Sequence, residues 1–337
     1  MNLDQYFQMY LPEIELELKN AVYGFVPDQF SEFRKMLTYH MGWEGEGAGS
    51  KAQGKRLRPI LVLLSCEACG GDWRSALPAA AAVELLHNFS LIHDDVEDQS
   101  DTRRGRLTVW AKWGEAHAIN AGDLLFSVAN AEMISLSKLC GSEMAISAME
   151  LFQETCIHLT AGQYLDMSYE KTNSITMADY WPMIEGKTAA LLSCCAQLGA
   201  ISAGASESVR QKLGEFAKYL GLAFQVQDDW LGIWGDPTVT GKSVASDLIS
   251  GKKTIPVLYG LQHSSEFQKR WNDGPITEEE AGSVALLLKE AGADQFTMFE
   301  SNRLTDISMQ ALRQTELNND AFRAIEELAL MLVGRKS

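Results

Sequence analysis

Pro78-Ala-Ala-Ala-Ala-Val-Glu-Leu-Leu-His-Asn-Phe-Ser-Leu-Ile-His-Asp-Asp-Val-Glu-Asp98 reads as one buried helix that ends in acid. Proline suits a first turn, where its missing N–H would have no helical partner anyway. The small residues and the Leu/Phe pattern after it suit a helix packed on its neighbours, and they are too apolar for a solvent face. At the far end Asp94 and Asp98 stand one turn apart on the same face, with Asp95 beside them. Like charges at that spacing repel by roughly 0.2–0.5 kcal/mol on a bare helix. An acidic face on a buried helix therefore suggests a divalent cation, held by carboxylate oxygens and completed by water or phosphate, with a plain solvated helix end as the alternative. Arg103-Arg104-Gly105 follows closely. Cations beside metal-holding acids make sense when the ligand is a phosphate, which needs both. His87 lies two turns before Asp94 on nearly the same face, as either a core histidine or a ligand-binding one.

Outward from this stretch the helical period continues in both directions. Residues 12–40 alternate apolar and acidic groups at three- and four-residue spacing, as in Ile14, Leu16, Leu18, Val22 and Phe25, with Pro12 in the first turn. Gly42 to Gly54 is a glycine-rich loop, and Arg58-Pro59 opens an apolar segment from Ile60 to Cys69. Helical patterns follow over residues 116–138, 142–170, 176–203, 206–234 and 253–262, then 282–292, 296–316 and 318–333. Thr277 with Glu280 forms a capping box ahead of one of them. Alternating strands, hairpin turns, β-α-β units and repeats are not apparent, and no linker divides the chain. The expectation is an all-α protein, a single domain over residues 1–337 with ten or more helices.

A second acidic cluster sits inside another apolar helix, Phe224-Gln225-Val-Gln-Asp228-Asp229-Trp-Leu-Gly232. Gly241-Lys242 and Gly251-Lys252-Lys253-Thr254 then put cations on short glycine-containing loops, where they can reach a bound anion. Two Asp pairs on apolar helices, each followed by cations, is a much rarer pattern than either alone. Gly54-Lys55-Arg56-Leu57-Arg58 gathers three more cations. The run from Gly49 to Lys55 fits the start of a P-loop, but Arg56 stands where a Mg²⁺-binding Ser or Thr belongs and no strand precedes it, so nucleotide binding is rejected. Lys187-Thr188 lies in an apolar helix, where an unpaired lysine would be expensive to bury.

Composition narrows the class. The chain has 337 residues, 46% hydrophobic, with 29 Lys+Arg against 45 Asp+Glu and a net charge of −16. That balance argues against nucleic acid or an anionic membrane as the partner. The 6 cysteines form neither a disulfide framework nor a spaced zinc set, although Cys66 and Cys69 make a CxxC, and they read as buried thiols in a reducing cytoplasm. No secretory signal and no apolar run long enough for a membrane span are visible.

Taken in order, the motifs from Gly54 to Pro256 resemble the trans-prenyl diphosphate synthases, or polyprenyl synthetases, in particular the short-chain geranylgeranyl and farnesyl diphosphate synthases. The likeness rests on Gly-Lys-Arg-x-Arg-Pro, His-Asp-Asp-x-x-Asp, Arg-Arg-Gly, Gly162-Gln163-x-x-Asp166, Lys187-Thr188, Phe224-Gln225-x-x-Asp228-Asp229, and the Gly-Lys, Ser-Asp-Leu and Gly-Lys-Lys-Thr run. It implies an isoprenoid-synthase-like fold of helices around a central cavity, usually a homodimer. The implied substrates are isopentenyl diphosphate and an allylic diphosphate, held with three Mg²⁺ ions between the Asp motifs. By matching position, Asp94 and Asp98 are the implied direct Mg²⁺ ligands with Asp95 in support, and Asp228, with Asp229 beside it, serves the third ion. Arg103, Lys187, Lys242 and Lys252 would grip the allylic diphosphate, and Lys55, Arg58, His87 and Arg104 the isopentenyl diphosphate. Thr188 and Gln225, with Lys187, would line the region where positive charge develops.

In this family the diphosphate ionises away, the double bond of isopentenyl diphosphate attacks the allylic cation, and the released diphosphate takes the proton. One departure is plain: the second motif carries Gly232 where the family has a third Asp, so restoring Asp there is expected to lower the Mg²⁺ requirement. A class I terpene cyclase is the nearest rival and has no use for Lys55, Arg58 and His87. A non-catalytic partner subunit typically loses its Asp motifs, and this chain keeps the first. In the resembling family a bulky aromatic five residues before the first motif limits product length. Phe89 occupies that position with small Ser90 beside it, which fits C20, with C15 as runner-up and simple core packing as the alternative.

Overall fold

A computed structural model describes residues 1–170, 172, 174–236 and 245–334. Helices dominate, as expected. The opening stretch forms the helix Leu77–Glu97, with Pro78 in its first turn and Asp98 as its C-cap. It follows a 3₁₀ turn, Trp73–Ala76, whose entry is capped by Asp72 accepting from the Arg74 N–H at 3.1 Å. Its first half is wholly buried: Ala79 through Leu86 are each 3% exposed or less. Fully desolvating so many small and branched residues, at about 25 cal/mol per Å² of apolar surface, is what fixes this helix inside the protein. Against the expectation of no apolar run long enough to span a membrane, Trp73–Glu97 is long and apolar enough by length and composition. Its apolar window is 67% buried inside the protein, so the apolarity is that of a core helix.

The chain organises into two compact units, interleaved in sequence. One comprises Met1–Leu151, Cys195–Arg210 and Leu317–Ile325. The other comprises Phe152–Cys194, Gln211–Glu316 and the chain from Glu326 on. In the first unit Leu77–Glu97 packs chiefly on Glu115–Ser135. The His93 ring lies over Gly122, where a Cβ would come within 2.2 Å of Nε2, so glycine lets the ring sit this close to the helix. In the second unit a cluster around Tyr180, Ala189, Ala223, Val226 and Ile255 supports the middle of Glu207–Trp234, and a cluster around Ile233, Leu248 and Val257 supports its end.

The structure corrects several local expectations. The pattern read over residues 12–40 is two helices, Leu3–Phe25 and Ser31–His40, separated by Pro27 and the 3₁₀ turn Asp28–Phe30. The first begins at a capping box of Asn2 and Gln5, which places Pro12 in its interior instead of its first turn. The pattern over 176–203 is helical throughout but is interrupted by a π-helical turn, Glu185–Ala189. The capping box at Thr277 and Glu280 forms as read. A small antiparallel hairpin is also present, Thr102–Arg103 against Arg106–Leu107. Its turn residues Arg104 (φ 52°) and Gly105 (φ 74°) are both left-handed, the two-residue turn whose twist matches paired strands.

Candidate active site

In the first unit three stretches far apart in sequence come together. The helix Leu77–Glu97 presents Asp94 half-buried and Asp98 exposed, with the Asp98 N–H bonded to the Asp94 carbonyl at 2.8 Å, one turn back. Asp95 turns the other way: it is 1% exposed, and its Oδ1 accepts from Arg103 Nε at 2.7 Å. Burial raises the Asp95 carboxyl pKa, and the Arg103 guanidinium opposes that. Asp95 therefore orients Arg103 from behind, leaving the two Nη groups for an anion.

The hairpin delivers the next cation. Arg104 donates to the carbonyls of Ala52 at 2.8 Å and Gln53 at 3.0 Å. Its guanidinium lies against Gly54, where a Cβ would sit 2.8 Å from Cζ, so the glycine admits the arginine beside Lys55. Arg106 organises the rest of the glycine-rich loop by donating to the carbonyls of Tyr39 at 2.7 Å, Glu44 at 2.7 Å and Glu46 at 2.9 Å. Arg56, left-handed at φ 50°, is buried between Glu15 at 2.7 Å and Glu84 at 2.8 Å. This ion-paired hub holds the turn from which Lys55 emerges exposed and Arg58 half-buried. Arg56 lies within the Gly-Lys-Arg-x-Arg-Pro motif, but nothing in the sequence marked it as the buried hub or pointed to Glu15 and Glu84 as its partners.

His87 joins the same cluster. Burial pushes its pKa well below the usual imidazole value, and the charges of Arg58, Arg104 and Arg103 push it further. A histidine held neutral by burial and by neighbouring guanidiniums marks a region of positive potential. Arg58 Nε is buried with no hydrogen-bond partner. A diphosphate would satisfy that donor and the potential together.

In the second unit the site is built at the π-helical turn. Gly162 and Gly186 meet backbone to backbone: a Cβ on Gly162 would come within 2.1 Å of the Lys187 nitrogen, and one on Gly186 within 2.6 Å of the His158 carbonyl oxygen. This close crossing sets Lys187 Nζ against Asp166 as an ion pair. A π turn inserts one extra residue into a helix and commonly marks a functional position. From that turn Thr188 Oγ1 donates to Gln225 Oε1 at 2.9 Å, and Gln225 Nε2 donates to Asp229 Oδ1 at 2.9 Å. Asp229 Oδ2 accepts from Tyr180 OH at 2.6 Å and from the Ile255 N–H at 3.2 Å.

Asp229, expected beside the metal, thus has both oxygens committed to protein donors and is 4% exposed. Burial pushes its pKa up to about 7 against the pull of those donors. Its neighbour Asp228 is half-buried, Lys252 is exposed, and Lys242 lies outside the described residues. Tyr180, which locks Asp229, sits on Met177–Ile184 and no spacing rule would have found it.

Among the described residues no three His, Cys, Asp or Glu side chains form a ready metal cage. The donors present are hard carboxylate oxygens with cations beside them. Such a set suits Mg²⁺, which usually takes one or two carboxylates and completes its shell with water and substrate phosphate.

The sequence model of the family described as polyprenyl synthetase matches residues 48–288, well over half of the chain. The chain belongs to the polyprenyl synthetase family. Farnesyl diphosphate synthase of Mycobacterium tuberculosis is 37% identical over 314 residues, covering 90% of this chain and 86% of that protein. Geranylgeranyl diphosphate synthase of Saccharolobus solfataricus is 35% identical over 341 residues, covering 99% and 98%. The crystal structure of a polyprenyl synthetase from Streptomyces coelicolor superposes with a TM-score of 0.87 at 33% identity, covering 98% of this chain and all of that one. This polyprenyl synthetase is accordingly a prenyltransferase, a trans-prenyl diphosphate synthase with the all-α isoprenoid synthase fold. Members of the family generally work with Mg²⁺. Its relatives include both farnesyl and geranylgeranyl synthases.

Proposed function

We propose that this chain condenses isopentenyl diphosphate head-to-tail with an allylic diphosphate and releases C20 geranylgeranyl diphosphate, with C15 as the nearest alternative. The observation that carries the two-substrate reading is the set of two guanidiniums, Arg58 and Arg104, and the neutral His87 imidazole beside an unpartnered guanidinium nitrogen. A second diphosphate accounts for that set, and a cyclase would have no use for it. Lys55, Arg58, His87 and Arg104 bind isopentenyl diphosphate in this reading.

Asp94 and Asp98 would hold two Mg²⁺ ions, and Asp228 a third. Bound Mg²⁺ would supply charge neutralisation of the allylic diphosphate as it leaves. Arg103, steered by Asp95, grips that diphosphate, as do Lys187, Lys242 and Lys252. Gln225 is anchored through its amide nitrogen to Asp229, so its carbonyl end and the Thr188 hydroxyl present oxygen dipoles to the developing allylic cation. In this account Asp229 acts as a positioning residue. The apolar surroundings exclude water, which would otherwise capture the cation. We further propose one prenyl synthase domain over residues 1–337, working as a cytoplasmic homodimer. Exposed Ile119, Ile134, Leu139 and Ile146 support an apolar contact face, and six free cysteines support a reducing compartment.

Lys55→Ala tests the partition of substrates. Lys55 is exposed on the glycine-rich loop, far in sequence from both Asp motifs. Loss of a charge-assisted contact is expected to raise KM for isopentenyl diphosphate about tenfold or more, with a much smaller change for the allylic primer. Equal effects on both would contradict it.

Product length follows from Phe89. It lies five residues before Asp94, about 7.5 Å along the helix axis at 1.5 Å per residue. Its ring packs on Phe126 of Glu115–Ser135, with centroids 5.0 Å apart, and on His93 at 4.8 Å. Two aromatics from two helices therefore form the stop, while Ser90 beside them is small. Phe89→Ala should shift products beyond C20, and Phe89→Ala with Phe126→Ala should shift them further. Chain lengths read by chromatography that stay unchanged in both variants would leave these rings as packing alone.

A further inference from the structure

Position 232 is one turn beyond Asp228 on Glu207–Trp234, so a side chain there would share the face of Asp228. It is glycine, and the space beside it is filled. A Cβ on Gly232 would lie 2.1 Å from Asp247 Oδ2, 2.5 Å from its Cγ and 2.9 Å from Oδ1. The carboxylate of Asp247 thus takes the volume that a residue at 232 would fill.

Asp247 comes from a separate element, the short helix Ser246–Ile249, and several features hold it there. Ala245, just before it, adopts a left-handed φ of 54° that a residue with a Cβ rarely keeps unless its surroundings demand it. Ala245 and Leu248 are 2% and 1% exposed in the cluster that includes Ile233, so the segment is clamped on both sides of the acid. Ser246 Oγ donates to the Gly232 carbonyl at 3.4 Å, and the Lys252 N–H donates to the Asp247 carbonyl at 3.0 Å. The last bond ties Asp247 to the lysine expected to meet diphosphate.

We propose that Asp247 supplies, from outside the helix, the carboxylate that the second acidic cluster lacks at position 232, and that it holds a divalent cation together with Asp228. Gly232 is then the residue that admits Asp247, and the expectation that Asp at 232 would improve metal use is reversed. A new carboxylate there would be driven into an existing one at less than contact distance, like charge against like. The proposal rests on the prenyl synthase reading of the site.

The test is Mn²⁺ binding, followed by electron paramagnetic resonance on the full chain with geranyl thiodiphosphate, an allylic analogue that resists ionisation. Asp247→Asn should weaken the weakest bound Mn²⁺ by about tenfold or more, the loss typical when a metal's carboxylate support is removed. Gly232→Ala and Gly232→Asp should each do the same. Gly232→Asp combined with Asp247→Gly moves the carboxylate onto the helix and should recover most of the affinity. Wild-type Mn²⁺ affinity in folded Asp247→Asn, or tighter binding in Gly232→Asp alone, would overturn the proposal. Should Asp247→Asn fail to fold, the Gly232 variants probe the same contact with Asp247 intact. If the wild-type chain binds no Mn²⁺ with the analogue, the prenyl synthase reading itself fails, and the role of Asp247 with it.

Discussion

Asp94→Asn is expected to abolish turnover, lowering kcat by at least about a hundredfold, or roughly 2.7 kcal/mol of barrier, while the protein stays folded. The two halves of that result have separate causes. Asp94 is half-buried at the last turn of a core helix, and the isosteric amide keeps its volume. Removing its charge also relieves the repulsion with Asp98 four residues on, worth roughly 0.2–0.5 kcal/mol. The melting temperature should therefore hold or rise slightly. Activity should still collapse, because a neutral amide is a poor ligand for a hard cation. Steady-state kinetics beside thermal unfolding separates the two. Activity within about tenfold of wild type, roughly 1.4 kcal/mol, would remove Asp94 from the metal site.

Gly162→Ala is expected to be the most damaging one-carbon change in the second unit. Helix propensity predicts the opposite, since alanine in mid-helix is better than glycine by about 1 kcal/mol. Geometry decides against propensity here. The added Cβ would sit 2.1 Å from the Lys187 nitrogen and 2.6 Å from the Gly186 carbonyl carbon, both backbone atoms that cannot swing aside. Overpacking of this kind typically costs about 1–3 kcal/mol, and more where only backbone can yield. The strain falls on the π turn that carries Lys187 and Thr188, so the Lys187–Asp166 ion pair and the Thr188–Gln225 bond should shift with it. Denaturant unfolding should show lost stability, and kcat should fall further than unfolding explains. A variant as stable and active as wild type would mean that the two helices can part without consequence.

Much of this was legible in the sequence. The helix from Pro78, its acidic end, the capping box at Thr277 and the all-helical class follow from local rules of period, capping and proline placement. What stayed hidden depends on which backbones touch. No period predicts the π turn at Glu185–Ala189, which sits where Gly186 meets Gly162, more than twenty residues away in sequence. The hairpin at Arg103-Arg104-Gly105-Arg106 is too short for an alternating pattern, and only its left-handed Arg-Gly turn hints at it. Arg56, Tyr180 and Phe126 act through partners distant in sequence. Gly232 looks like a loss until the carboxylate of Asp247 is seen against it. Pro27 itself signals the break between the first two helices, against a helical period that continues on both sides of it.

The most direct test of the central claim is to incubate the purified chain with Mg²⁺, isopentenyl diphosphate and C5, C10 or C15 allylic diphosphates, and to size the products after phosphatase treatment. The account predicts Mg²⁺-dependent elongation of the allylic primer by five-carbon steps, ending at a linear C20 alcohol, with nothing formed when either substrate is omitted. No elongation from any primer, or release of diphosphate from the allylic substrate alone to give a cyclic hydrocarbon, would contradict it.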